Sequence, residues 1–234
     1  MGQAGAGLVV ERDLGSEIDQ FRRFIQTGYP SWILAFYGAA NAARSTLLRY
    51  LEQSLPTRWL PIHLDFQDKT LREDYECLVR ALSDALRAGG LSARAWSTYE
   101  RRVEQVRLLK QVQVKMDMKA LDGSEIVRGM QDVRLGEADE LRVLEAAREL
   151  AHAWLELVEP LDAKPIAFVD HWENLLDGDS KELATWLFED LLGRLHLWRP
   201  DFRLVIASDR PLRRDWLLLQ RVRSEEVMEW EVRS

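Results

Sequence analysis

The chain has 234 residues, of which 47% are hydrophobic, and a formal net charge of −7. This length suits one large α/β domain or at most two small ones, and the acidic balance argues against a general affinity for nucleic acid or anionic membranes. The single cysteine excludes an internal disulfide framework. No apolar run approaches the ~20 residues that span a bilayer. We therefore expect a cytoplasmic globular domain.

The predicted elements alternate between amphipathic helices and short apolar strands. Residues 1–8 are rich in small side chains, and we expect them to form a flexible N-terminus. Helices are predicted over 16–26, 45–55, 71–88, 92–109, 137–159 and 180–197. Strands are predicted over 32–37, 58–65, 166–170, 203–208 and 227–232. Such an alternation favours an α/β fold with a mostly parallel sheet covered on both faces.

Residues 111–135 interrupt this alternation. Apolar and polar residues alternate over 112–118, a pattern typical of a half-buried strand. Asp122 and Gly123 then give a strong turn signal. We predict a β-hairpin insertion here, within one domain that covers residues 9–234.

The stretch YGAANAARSTLL, residues 37–48, joins the first predicted core strand to a helix. A phosphate-binding P-loop occupies this setting and reads G-x-x-x-x-G-K-[ST]. Gly38, Ser45 and Thr46 match that pattern. Backbone N–H groups of such a loop surround the phosphates, and its Ser/Thr hydroxyl ligates Mg²⁺. The alternative is an ordinary turn in which Ser45 caps the helix.

Two positions of this motif differ from the pattern. Ala43 replaces the second glycine and adds a Cβ, and Arg44 replaces the lysine with a bulkier, planar cation. We expect hydrolysis to be lost or slower than ~1 s⁻¹, and nucleotide binding to be weakened or absent. Natural divergence and engineered inactivation of an active parent would both produce this pair.

A second motif, FVDHWE at residues 168–173, has the strand-then-acid form of a Walker B motif. Asp170 is the candidate ligand of a hydrated Mg²⁺. The usual carboxylate position directly after it is His171, so Glu173 is the better candidate for the base that orients the attacking water. The alternative is that Asp170 only caps the following helix.

A third motif, VIASDR, covers residues 205–210. Ser208 lies at the end of a predicted strand and would sense a γ-phosphate, while Arg210 would neutralise its charge. The alternative is a strand end with a solvated arginine. All three motifs lie at the C-terminal ends of predicted strands, where open α/β sheets bind ligands.

Together these motifs resemble the nucleotide-binding domain of bacterial STAND-class P-loop ATPases, the NACHT-like and AAA-like signalling ATPases, over about residues 9–232. Residues 10–13 resemble that family's N-terminal GRE segment, with Arg12 retained, and residues 60–65 resemble its second strand. The resemblance implies a P-loop three-layer sandwich with sheet order 5-1-4-3-2. It also implies ATP or ADP with Mg²⁺ as cofactors and a switch driven by nucleotide exchange and oligomerisation. We expect the family's helical lid and winged-helix module to be absent.

The resemblance also implies a role for each matching residue. Glu173 and Arg210 would be catalytic, and Ser45 and Asp170 would hold the metal. Nucleotide contacts would come from Arg12, Gly38, Ala39, Ala40, Asn41, Ala42, Ala43, Arg44, Ser45, Thr46 and Ser208.

Three functions remain compatible with these residues. The first is an ATP-binding signalling switch that has protein partners or forms a homo-oligomer. The second is a pseudo-ATPase scaffold that no longer binds nucleotide and uses the predicted hairpin and the helix over 92–109 as its partner surface. A DNA-associated ATPase is disfavoured by the acidic balance. The four histidines are too scattered for a zinc site.

Overall fold

A computed structural model describes residues 15–26, 30–38, 41–121, 128–176, 181–212 and 226–232, with only the backbone described over 109–121 and 128–141 and at a few other helical positions. Five strands form one sheet, β1 Ile33–Tyr37, β2 Trp59–Asp65, β3 Lys164–Asp170, β4 Arg203–Ser208 and β5 Val227–Glu231. All neighbouring strands are parallel, in the order β2-β3-β4-β1-β5. This confirms the α/β class, and the order is the expected 5-1-4-3-2 counted from the opposite edge.

Helices connect these strands throughout the described ranges. They are α1 Gly15–Phe24, α2 Asn41–Gln53, α3 Thr70–Glu73, α4 Tyr75–Leu86, α5 Ala93–Leu121, α6 Arg128–Val158, α7 Glu173–Leu176, α8 Lys181–Trp186 and α9 Gly193–Trp198. A 3₁₀ turn at Arg87–Gly89 follows α4, and a π-helical turn at Leu187–Leu192 joins α8 to α9. None of the helices within the described residues is long and apolar enough to cross a membrane.

The sheet is covered on both faces because successive strand residues point to opposite sides. Leu34 and Phe36 of β1 pack in one apolar cluster with side chains of α1 and α2. Ile33 and Ala35, which alternate with them, pack in a larger cluster with side chains of α4, α5, α6 and α8. The described helices therefore form a layer on each side of the sheet.

The β-hairpin predicted over 111–135 is wrong. α5 continues through Leu121, and α6 begins at Arg128, so both predicted arms are helical wherever the structure describes them. The alternating stretch consists mainly of Gln, Lys, Met and Val, and the first three are good helix formers. Adding them to a helix that already exists costs no new nucleation. The turn signal at Asp122 and Gly123 lies outside the described residues.

A smaller difference occurs where one helix was predicted over 71–88. Asp74 has an extended backbone, with φ −149° and ψ 135°, and it separates α3 from α4. Its carboxylate accepts a hydrogen bond from the backbone N–H of Glu76 at 3.2 Å. Asp74 is therefore the N-cap of α4, because its side chain satisfies a donor that the helix itself cannot.

His196 provides a test of the packing beside the sheet. Its ring stacks on Trp32, with centroids 4.6 Å apart and planes 8° from parallel. Burial, followed by the nearby positive charge of Arg203, lowers the pKa of the imidazole below its ordinary 6.5, although Glu226 opposes this. The folded protein disfavours protonation, so this contribution to stability is present above pH 6.5 and is lost as the pH falls towards the lowered pKa.

We therefore expect the free energy of unfolding to fall between about pH 7.5 and about pH 5.5 by more in the wild type than in His196→Phe. Urea denaturation of both proteins at each pH measures this difference. Phenylalanine keeps an aromatic ring against Trp32 but does not titrate, so an identical pH dependence in the two proteins would contradict the prediction.

Candidate functional site

The candidate site lies at the edge of the sheet where its strands end. In parallel strands the carboxyl ends meet at one edge, which is where α/β sheets bind ligands. Tyr37, the last residue of β1, is in register with Ser208, the last residue of β4. Asp65 and Asp170, the last residues of β2 and β3, are likewise in register. The structure thus brings the three predicted motifs to the same edge.

The loop after β1 begins with a backbone conformation that favours glycine. Gly38 has φ +96°, which L-residues rarely adopt, although a Cβ there would meet its nearest atom at an ordinary 3.5 Å. Ala39 and Ala40 lie outside the described residues. α2 then starts at Asn41, so Ser45 lies inside the helix, and the interpretation of Ser45 as its N-cap is wrong. The positive end of the α2 dipole lies at this edge of the sheet.

Ser45 and Asp170 are hydrogen-bonded to each other. Ser45 Oγ donates to Asp170 Oδ2 at 2.5 Å, and the backbone N–H of His171 donates to Asp170 Oδ1 at 2.9 Å. Asp170 is buried, so its carboxylate is held by neighbours rather than by bulk solvent. The two residues predicted to share a metal are therefore adjacent, although 125 positions separate them in the sequence.

Arg44 and Glu173 form a buried ion pair. Arg44 Nη2 lies 3.0 Å from Glu173 Oε1, and the side chains are 1% and 11% exposed. The other carboxylate oxygen of Glu173, Oε2, is also buried and has no hydrogen-bond partner among the described residues. Both residues were predicted to lie in the site, but with a phosphate and a water as their partners. In the structure the candidate phosphate-binding cation, Arg44, instead binds the candidate base, Glu173.

A hydrogen bond between the side chains of His171 and Asp65 was not predicted. His171 Nδ1 and Asp65 Oδ1 lie 2.8 Å apart, and since a carboxylate only accepts, the imidazole donates from Nδ1. His171 also has φ +52°, which is uncommon for a residue other than glycine. The sequence signal that could have predicted this contact is the acidic residue Asp65 at the end of β2, because the carboxyl ends of neighbouring parallel strands such as β2 and β3 lie side by side.

The other predicted residues occupy less central places. Ser208 is buried at the end of β4, and Arg210 is partly exposed, with Nε 3.8 Å from Asp209 Oδ1. Ala43 is half-buried, while Thr46 is exposed. The backbones of Asn41 and Ala42 form the start of α2, and Arg12 lies outside the described residues.

The oxygen atoms of Ser45 and Asp170 suit Mg²⁺ chemically. Mg²⁺ prefers hard oxygen ligands and binds through one or two carboxylates, substrate phosphates and several waters. No cluster of three or more His, Cys, Asp or Glu side chains that could hold a metal ion occurs within the described ranges. A magnesium–nucleotide site does not need such a cluster, so these donors fit the implied ion.

No model of a known protein family matches this chain, and the search of curated proteins gives no match. The function is therefore inferred from the residues at the carboxyl edge of the sheet.

Proposed function

We propose that this chain is a P-loop-type domain that binds ATP or ADP with Mg²⁺ and acts as a nucleotide-dependent signalling switch with impaired hydrolysis. The observation that carries this proposal is the 2.5 Å hydrogen bond between Ser45 Oγ and Asp170 Oδ2. It joins the helix after β1 to the end of β3, across the strand β4 that lies between them. In P-loop NTPases the same pair of residue types holds Mg²⁺.

The neighbouring groups support phosphate binding at this edge. The N-terminus of α2 offers backbone N–H groups and the positive end of a helix dipole to an anion. Gly38 supplies the positive φ at the start of the loop. Ser208 ends the strand between β1 and β3, as a residue that senses the terminal phosphate would. When bound, Mg²⁺ would neutralise phosphate charge beside Ser45 and Asp170.

The Arg44–Glu173 pair supports impaired hydrolysis. A base that orients an attacking water must be within hydrogen-bond reach of it. One oxygen of Glu173 instead accepts from Arg44, at 3.0 Å. Arg44 is equally engaged, and its guanidinium is bulkier than the lysine ammonium of the usual motif. The two groups that would act on the terminal phosphate therefore bind each other.

The same ion pair favours a second candidate function, a pseudo-ATPase scaffold with no nucleotide. If Arg44 and Glu173 stay paired permanently, the site is closed by its own side chains. The partner surface would then be the pair of long helices α5 and α6, where Leu108 and Val143 are exposed apolar residues. This surface replaces the hairpin of the sequence-based prediction.

Titration with a fluorescent ATP analogue and Mg²⁺ distinguishes the two functions. We expect the wild type to bind with lower affinity than the Ala43→Gly/Arg44→Lys variant, because the variant restores the loop glycine and a compact cation. Turnover of the wild type should stay below ~1 s⁻¹. Binding by neither protein would contradict the switch and support the scaffold.

A further inference from the structure

We propose that Glu173 is a specificity-determining residue that makes this site prefer a nucleoside diphosphate to a triphosphate. The inference rests on the proposed function and names the ligand class of the same site. It departs from the sequence-based role of Glu173, in which the carboxylate orients a water for hydrolysis.

Because Arg44 contacts Glu173, the position of Arg44 indicates how close Glu173 lies to the terminal phosphate of a bound nucleotide. In a P-loop the cation at this position reaches the β- and γ-phosphates. Arg44 Nη2 lies 3.0 Å from Glu173 Oε1. Any phosphate group that Arg44 contacts therefore comes close to a carboxylate, and the last group of a longer chain adds the most negative charge there.

Burial strengthens the repulsion between the carboxylate of Glu173 and a nearby phosphate. Glu173 is 8% exposed, and its Oε2 atom has no hydrogen-bond partner within the described part of the chain. Water therefore does little to screen its charge, Arg44 is bonded to only one of its two oxygens, and like charges repel more strongly in a buried setting than in water. Glu173 also offsets part of the positive charge of Arg44. Both effects oppose a triphosphate more than a diphosphate.

Asp170 does not produce the same discrimination. It is paired with Ser45, at the position where Mg²⁺ would offset its charge for both nucleotides. Removing the charge of Glu173 should therefore change the ratio of the two affinities, whereas removing Asp170 should weaken both. This difference separates a specificity role from a general contribution to the site.

The test measures dissociation constants for ADP and for ATP, each with Mg²⁺, by isothermal titration calorimetry. We expect the wild type to bind ADP about tenfold more tightly, which equals about 1.4 kcal/mol. In Glu173→Gln, which keeps the shape but not the charge, we expect the two constants to lie within about threefold. Glu76→Gln is the matched control, because it neutralises another arginine-paired glutamate outside the site, and it should keep the wild-type ratio.

Two further variants separate the charge of Glu173 from that of Arg44. Arg44→Gln/Glu173→Gln leaves no buried charge at the pair and should also show near-equal constants. Arg44→Gln alone keeps the carboxylate and should keep the preference for ADP while weakening both complexes. Equal constants in the wild type, or a tenfold preference that survives in both neutralised variants, would overturn the inference. Absence of binding in every protein, including Ala43→Gly/Arg44→Lys, would overturn the proposed function as well.

Discussion

Replacing Arg44 with methionine is expected to lower the free energy of unfolding by about 3–5 kcal/mol. Methionine keeps much of the apolar stem but removes the guanidinium, so the buried carboxylate of Glu173 loses the cation that it pairs with in the structure. The cost of that unpaired charge, rather than the worth of the ion pair, sets the magnitude. Urea denaturation of the wild type and the variant at neutral pH measures it.

A double variant and a surface variant serve as controls. Arg44→Met/Glu173→Met replaces both charges with apolar groups and should recover most of the lost stability, because buried ion pairs can often be exchanged for apolar side chains. Arg80→Met removes an exposed partner of Glu76 and should change stability by less than about 1 kcal/mol. If the double variant were as unstable as Arg44→Met, repacking of the cavity rather than the lone charge would be the cause.

Replacing Asp170 with asparagine is expected to weaken magnesium-dependent nucleotide binding by about 100-fold. Asparagine retains the size of the side chain and one acceptor oxygen for Ser45, but it removes the negative charge that attracts the cation. Binding without Mg²⁺ should change much less. Titration of the fluorescent nucleotide with Mg²⁺, and again with excess chelator, measures both affinities.

Asp190→Asn is the control for this prediction. Asp190 also pairs with arginines, Arg194 at 3.1 Å and Arg148 at 3.6 Å, but it lies in the π-helical turn rather than at the site. The Asp190→Asn variant should bind nucleotide with the same affinity as the wild type, with and without Mg²⁺. If Asp170→Asn lost the same nucleotide affinity with and without Mg²⁺, the prediction would be contradicted. The carboxylate would then hold the carboxyl edge of the sheet in place and would not bind the metal.

The strands were predictable because each is a short apolar run, and this signal is local. The predicted strand at 203–208 matches β4 residue for residue, and the other four agree within two residues. The order of the strands came from the resemblance to a known family. Local apolar runs alone do not determine which strands become neighbours.

The helices α5 and α6 show where a local signal fails. Alternation of apolar and polar residues over seven positions is compatible with a strand, but the helix propensity of those residues and the existing helix before them favour continuation. A two-residue period has meaning only if a partner strand is available. No strand in the described part of this region offers one.

That the three motifs meet at the carboxyl edge of the sheet was predictable, but the pairing of their side chains was not. Ser45 was predicted to lie there from the loop pattern after the first strand, and Asp170 and Ser208 because each ends a strand. The pairs Arg44–Glu173 and His171–Asp65 join residues 129 and 106 positions apart. Which side chains meet there depends on the phase of α2 and on the positive φ of His171, and neither is encoded in a local motif.

The position of β1 in the sheet has a consequence for how the protein folds. Ile33 pairs with Leu204 on one side and with Val227 on the other, so the partner strands of β1 both come late in the chain. Contacts of such high sequence separation slow folding, because a long loop must close before they form. During synthesis, β1 would leave the ribosome well before β4 and β5. Its apolar residues would stay without these partner strands until both have been made. The candidate site at the carboxyl edge of the sheet is therefore among the last parts of the molecule to assemble.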